Sequence, residues 1–494
     1  MTRPGLFHHT PSARLLAGCL ALLVVLRLLS LAFYPLTDNT EARYAEIGRL
    51  MWERGDWVTP WLDRDTPFWG KPPLSFWATA LGFGVFGINE FAARLPHFLG
   101  ALVVGWWVWQ WAAQRSSQEA LTAVALLGAS SLMLLASGAV MTDMFLLLGI
   151  ALTMRGFWLA LHGGPSDQKR ESWLFFIGLA IGLLAKGPLM LVLAGLPLGL
   201  WTLWRREVAQ VWNALPWVRG LALILLLVCP WYLLAELRSP GFLDYFLVGE
   251  HWHRFVTPGW AGDKYGGAHQ AARGTIWLYA LVALLPWSLV LPVAAWFWRQ
   301  HPRTPLPPDP QASPVGYWVL WALAPALFFT MASNILWTYV LPALPALALL
   351  GARWLSGLAN QRAVNRTLSA CLMLMSAMLV TALFTVNQQQ HDDWNTTRSL
   401  VTQYNHATRG KTAAPALVFY PLRPYSASFY SRGAAQHIRS PDALINQVSQ
   451  APTFLAVKTR AVAQLPARVR QTLTLQGAHG QYSLFLSQPD SAKP

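Results

Sequence analysis

Charge is what this chain has least of. Only 12% of its 494 residues are Asp, Glu, Lys or Arg, while 54% are hydrophobic and 13% aromatic. With a mean hydropathy of +0.35, that balance describes a multi-spanning membrane protein followed by a more soluble portion. Cysteine is also scarce. Cys19, Cys229 and Cys371 all lie in apolar runs, which excludes a disulfide framework and a cysteine zinc motif. No internal repeat is visible, although transporters often carry one. Acidic residues number 22 against 37 basic ones, a net charge of +15. The basic residues are scattered through short loops, so membrane topology and anionic lipid explain the excess, and nucleic acid is not expected as a partner. No small-residue cleavage site follows the first apolar run, Leu15 to Phe33, which reads as a retained helix broken only by Arg27.

Apolar runs fall near 13–35, 92–113, 118–138, 143–162, 172–186, 188–204, 215–236, 275–298, 314–333, 336–356 and 364–386. Residues 73–88 form one more apolar stretch. If this stretch does not cross, the loops carrying Arg115, Lys169, Arg170, Arg205, Arg206, Arg299, Arg303, Arg362 and Arg366 share a side with the basic N-terminus. That side is then cytoplasmic. The expected fold is a polytopic α-helical membrane protein of roughly 11–13 spans, with residues 1–386 in the membrane unit and juxtamembrane helices at about 38–91. Residues 387–494 read as a small α/β domain on the outer side, with short apolar runs at 416–420, 453–457 and 482–486 and a helical segment at 442–448. The proline-rich stretch 302–314 reads as a cytoplasmic linker.

This topology gathers nearly every chemically capable side chain on one face. Residues 38–71 hold Asp38, Glu41, Arg43, Glu46, Asp56, Asp63, Asp65 and Lys71. Asp38 and Glu41 are candidate catalytic carboxylates, with a capped helix start as the plainer reading. Lys71 stands before Pro72-Pro73, whose stiffness suits a point charge held against a phosphate, though a lysine there also snorkels readily. Asp143 lies between two apolar runs, where an aspartate is costly unless it works. Glu250, His251, His253 and Arg254 cluster in the long loop 237–274. Glu250 and His251 are candidate ligands of a divalent cation, although no second spaced pair completes a site. Lys186, Asn334 and Tyr339 sit at helix mouths.

These blocks, in order, resemble the GT-C membrane glycosyltransferases of the protein O-mannosyltransferase-like superfamily, and within it the bacterial aminoarabinose transferases that modify lipid A. The similar segments are Glu41-Ala-Arg-Tyr-Ala-Glu-Ile-Gly-Arg-Leu-Met, Gly55-Asp-Trp-Val-Thr-Pro, Lys71-Pro-Pro-Leu, Arg94-Leu-Pro, Asp143-Met-Phe, Leu184-Ala-Lys-Gly-Pro, Glu250-His-Trp-His-Arg-Phe and Thr338-Tyr-Val-Leu-Pro-Ala-Leu-Pro. They cover about 1–356. The resemblance implies an acidic pair made by Asp38 or Glu41 with Asp143. It also implies phosphate contacts from Lys71 and Arg43, with His251 and Tyr339 lining the cavity. The family reads Asp-Glu-x-Arg-Tyr where this chain has Thr40-Glu41-Ala42-Arg43-Tyr44, so its aspartate position is Thr40 here and Asp38 lies two residues earlier. The expected activity is transfer of a sugar from an undecaprenyl-phosphate donor to lipid A or a protein, at the periplasmic face of a bacterial inner membrane. A transporter of lipid-linked sugars is the rival from another class.

Overall fold

The computed structural model describes residues 10–266, 269–298, 313–388, 395–411 and 414–488, so most of the expected linker at 302–314 lies outside the described residues. The chain opens with α1 (Pro11–Ser30), α2 (Thr40–Arg54), α3 (Leu74–Phe86) and α4 (Glu90–Ala113). Then come α5 (Ser117–Gly128), α6 (Ser131–Ala136), α7 (Thr142–His162) and α8 (Pro165–Lys186). Starts are set by side-chain caps where the sequence provides them. The Asn89 side chain accepts from Ala92 N at 2.9 Å to begin α4, and that of Ser116 from Glu119 N at 3.0 Å to begin α5.

Among the described residues, six helices are long and apolar enough to cross a membrane, and the pair Thr275–Ala283 and Trp287–Phe297, bent by 78°, makes a seventh if counted as one span. The expected 11–13 spans include apolar helices too short for that count. The run 118–138 breaks at Ala129 and Ser130 into α5 and α6, and the runs 188–204 and 314–333 become the shorter helices Leu189–Arg205 and Val315–Thr330. α3 has 13 residues, which is about 20 Å of helix against a hydrocarbon core of ~30 Å.

The C-terminal unit is a five-stranded sheet of order β2-β1-β3-β5-β4: β1 (Ala416–Tyr420), β2 (Gln436–His437), β3 (Thr453–Lys458), β4 (Leu473–His479) and β5 (Tyr482–Ser487). β1 pairs parallel with β2 and β3, while β5 pairs antiparallel with β3 and β4. Alternation sorts the side chains. Leu417, Phe419, Phe454 and Ala456 pack with Leu400 and Tyr404 on one face, whereas Val418, Leu455 and Val457 pack with Leu444 and Val469 on the other. A short helix, Tyr425–Tyr430, carries this unit onto α2 and α3. There Phe429 meets Phe83 at 6.0 Å between ring centroids, and the Tyr430 hydroxyl donates to Glu90 at 3.1 Å.

Candidate functional site

The antiparallel pair α7–α8 places the first two site residues. Gly178 and Gly182, four apart on α8, let its backbone lie directly on Gly149 of α7. A Cβ on Gly149 would come within 2.7 Å of Gly178 O and Gly182 N. Asp143 occupies the first turn of α7 and Lys186 the last residue of α8, each at the helix end whose dipole favours its charge. They meet at one mouth of the pair, with Lys186 Nζ 2.6 Å from Asp143 Oδ1. No hydrogen bond to Asp143 Oδ2 is found among the described residues. Gly187 closes α8 at φ 73°, and a Cβ there would strike the Phe246 ring at 2.6 Å.

Phe246 belongs to the segment Asp244–His253, which is wound as a π-helix. Its wide turn stacks residues five apart, so the Tyr245 hydroxyl reaches Glu250 at 3.3 Å and Phe246 O reaches His251 Nδ1 at 2.7 Å. His251 Nε2 lies 3.1 Å from Lys186 O, tying this helix to the mouth of α8. Glu250 meets Lys71 Nζ at 3.0 Å and Arg254 Nη1 at 3.1 Å, and Arg254 also reaches Asp263 at 3.4 Å. Burial pushes the Glu250 carboxyl up, but Lys71 and Arg254 more than offset it and hold it at about 2. Burial pulls the His251 imidazole below its ordinary value, against the pull of the backbone carbonyls that face its ring nitrogens. Tyr339 stands between the two ion pairs with Lys186 Nζ 4.9 Å from its ring centroid. Asn334 pins the following loop by donating to Arg254 O at 2.6 Å and Thr257 O at 2.9 Å. Beside Tyr339 a cavity of about 400 Å³ is lined by His269, Gln270, Tyr279, Ile335, Leu336 and Trp337, among others.

Lys71, Glu250, His251, Lys186, Asp143 and Tyr339 thus converge from distant segments. Arg43 joins them through Tyr265. Its Nη1 donates to Tyr265 O at 2.6 Å, and Tyr265 stacks edge-on with Tyr245 at 5.8 Å. The remaining two candidates are occupied elsewhere. Both Glu41 oxygens face Arg94, at 2.8 and 2.9 Å, while Arg94 also donates to Leu31 O, Tyr34 O and Pro35 O. Glu41 Oε1 accepts from Val140 N at 3.4 Å, bracing the chain just ahead of Asp143. Asp38 accepts from Ser426 N at 3.0 Å and from the Ser426 hydroxyl, in the C-terminal unit. Neither makes a described contact with Asp143, so the expected acidic pair is not brought together by direct contact.

The donor set around the expected cation is already engaged. Glu250 faces Lys71 and Arg254, and both His251 ring nitrogens face backbone carbonyls. Among the described residues no cluster of three or more His, Cys, Asp or Glu occurs. A divalent cation at Glu250 and His251 would have to displace those partners. Asp263, Tyr245, Tyr265 and Tyr425 escaped the sequence reading. Only their position in the fold gives them meaning.

Fold and geometry define a polytopic membrane protein with a charged site at one end of its bundle and a small sheet unit packed on α2 and α3. A family model described as dolichyl-phosphate-mannose-protein mannosyltransferase matches residues 20–246. The undecaprenyl phosphate-alpha-4-amino-4-deoxy-L-arabinose arabinosyl transferase of Erwinia tasmaniensis is 32% identical over 335 residues, covering 65% of this chain and 56% of that protein. Its namesake in Shewanella sediminis is 27% identical over 377 residues, covering 73% and 64%. The match therefore spans less than two thirds of these curated relatives' length. The crystal structure of ArnT from Cupriavidus metallidurans bound to undecaprenyl phosphate superposes with a TM-score of 0.79 at 19% identity, covering 97% of this chain and 99% of that one, which shows a shared fold. Over residues 20–246 this chain is similar to the dolichyl-phosphate-mannose-protein mannosyltransferase family, and it shares the fold of ArnT.

Proposed function

We propose that this chain is an inner-membrane glycosyltransferase that moves a sugar from undecaprenyl phosphate to a periplasmic acceptor, with lipid A the first candidate. One observation carries the reading. Lys71, Arg254 and Lys186, from three distant segments, converge with Asp143 around Tyr339 at one end of an apolar bundle. The names of the relatives support the donor. In the reaction the acceptor oxygen attacks the anomeric carbon and the bond to the lipid phosphate breaks. The phosphate leaves as an anion, which Lys71, Arg254 and Lys186 stabilise after exchanging their carboxylate partners for it. Asp143, once Lys186 turns to phosphate, takes the proton of an acceptor hydroxyl or orients an acceptor phosphate. Glu41 braces the chain leading to Asp143, and the cavity beside Tyr339 offers apolar walls to the first isoprene units of the donor.

Two measurements test this. Mass spectrometry of envelope lipids from cells with and without the protein should show a missing glycosyl mass on lipid A; a missing glycopeptide instead would move the acceptor to protein. Asp143→Asn should lower turnover about 10³-fold while still binding undecaprenyl phosphate. Undiminished turnover in that variant would overturn the role given to Asp143, and transbilayer movement of an intact lipid-linked sugar without bond cleavage would make the protein a transporter.

A further inference from the structure

The arginine at position 43 is held differently from its neighbours. Arg49, Arg94 and Arg254 each meet a carboxylate. Arg43 meets none among the described residues. Arg27 likewise has no described carboxylate, but it donates to four neutral oxygens: Ser30 Oγ, Tyr34 Oη, Leu135 O and Ser137 Oγ. Arg43 donates to one, Tyr265 O, and its buried Nε has no partner. Its guanidinium is surrounded instead by ring faces: Tyr44 at 5.2 Å, Phe68 at 5.5 Å and Tyr425 at 5.8 Å. Aromatic faces attract a cation without neutralising it as a carboxylate does, so the full charge remains for an anionic ligand.

Two of those rings come from the membrane unit and the third from the C-terminal unit. Tyr425 begins the short helix Tyr425–Tyr430, and the next residue is clamped. Ser426 donates through its backbone N–H and its hydroxyl to the Asp38 carboxylate, while its oxygen accepts from Thr397 N at 3.1 Å. Asp38 N and O are in turn bonded to Asn395, at 2.7 and 2.8 Å. The clamp therefore fixes the backbone next to Tyr425 from both units.

We propose that Tyr425 is a positioning residue of the anion site: the C-terminal unit, clasped through Asp38 and Ser426, sets the direction in which Arg43 presents its charge to a lipid phosphate. The proposal rests on the reading of the site as one for undecaprenyl phosphate and assigns the sheet unit a part in it.

Binding of undecaprenyl phosphate to the full chain in nanodiscs tests this without requiring turnover. Tyr425→Ala should weaken binding roughly five-fold, a modest cation–π effect. Tyr425→Phe, which keeps the ring and drops the hydroxyl, should bind as wild type does. In an Arg43→Ala background Tyr425→Ala should add nothing. Arg398→Ala, which removes the Arg398–Glu90 contact between the same two units, serves as control and should leave affinity unchanged. Wild-type affinity in Tyr425→Ala, an equal loss in Arg398→Ala, or a full loss in the Arg43→Ala background would each overturn the proposal. Failure of the wild type to bind undecaprenyl phosphate would overturn this proposal and the donor assignment together. Tyr425-dependent binding without any sugar transfer would overturn the transferase reading and leave this one standing.

Discussion

The two ends of the α7–α8 pair carry ion pairs of opposite character, although the same glycine-lined contact joins them. Away from the site, Arg155 Nη1 lies 2.6 Å from Glu171, whose other oxygen takes Arg170 at 2.8 Å, and Gln110 accepts from Arg155 at 3.3 Å. Glu171 is fully buried and both its oxygens are used. At the site end Asp143 meets Lys186 through one oxygen only, and its side chain keeps 15% of its exposure. Two guanidiniums, one on each oxygen, fix the Glu171 carboxylate, whereas an ammonium on a flexible stem holds Asp143 as a point charge and can turn away. The first arrangement suits a joint that never opens. The second suits a pair that must part when a phosphate arrives.

The sharpest way to break that comparison is to remove the locked carboxylate. Glu171→Gln leaves Arg155 buried without its counter-charge and should cost about 3–5 kcal/mol of stability. It should leave the affinity for undecaprenyl phosphate unchanged, read by thermal unfolding and lipid binding on the same preparation. A loss of affinity as large as the loss of stability would mean the two ends are not separable.

Asp38 offers a third kind of carboxylate, half-buried with neutral donors and no described cation partner. Burial pushes it up to about 6, and the Ser426 hydrogen bonds only partly restrain it. Because the folded value is raised, its contribution to stability is fully present below the unfolded value and is lost as pH rises through about 6. The unfolding midpoint should therefore rise as pH falls from 7 to 5, with about 1.4 kcal/mol of that rise traceable to this group. Asp38→Asn should flatten that pH dependence. A profile unchanged by the substitution would show that another group sets it.

Lys186→Arg gives the site end a guanidinium, as the other end has. A fork closing on both Asp143 oxygens should slow turnover about ten-fold, equivalent to about 1.4 kcal/mol, while stability stays level or rises. Faster turnover would mean that charge alone matters there.

Much of this was readable because charge in an apolar chain is conspicuous. Lys71, Asp143, Lys186, Glu250 and Tyr339 stood out at run boundaries, and the family's blocks put them in order. The strand runs at 416–420, 453–457 and 482–486 coincide with β1, β3 and β5, since strands packed on both faces read as short continuous apolar runs. β4, mostly exposed, had no apolar run to announce it. Glu41 read as catalytic because sequence shows a carboxylate but not the Arg94 that arrives 53 residues later. Asp38 read likewise because its partner, Ser426, lies 388 residues away.

The smallest effect concerns the expected divalent cation. Glu250 is held ionised at about 2 by Lys71 and Arg254, and a cation arriving there would meet two positive charges within hydrogen-bonding distance of the carboxylate. His251 has its shorter hydrogen bond at Nδ1, to Phe246 O, and turns Nε2 toward the Lys186 carbonyl, so neither nitrogen offers a lone pair to solvent. Removing divalent ions with EDTA should change sugar transfer less than two-fold, since the charge stabilisation assigned to the leaving phosphate comes from protein cations. Loss of transfer on chelation, restored by adding back one divalent ion, would mean that a cation takes the Glu250 carboxylate once Lys71 and Arg254 have left it for the phosphate.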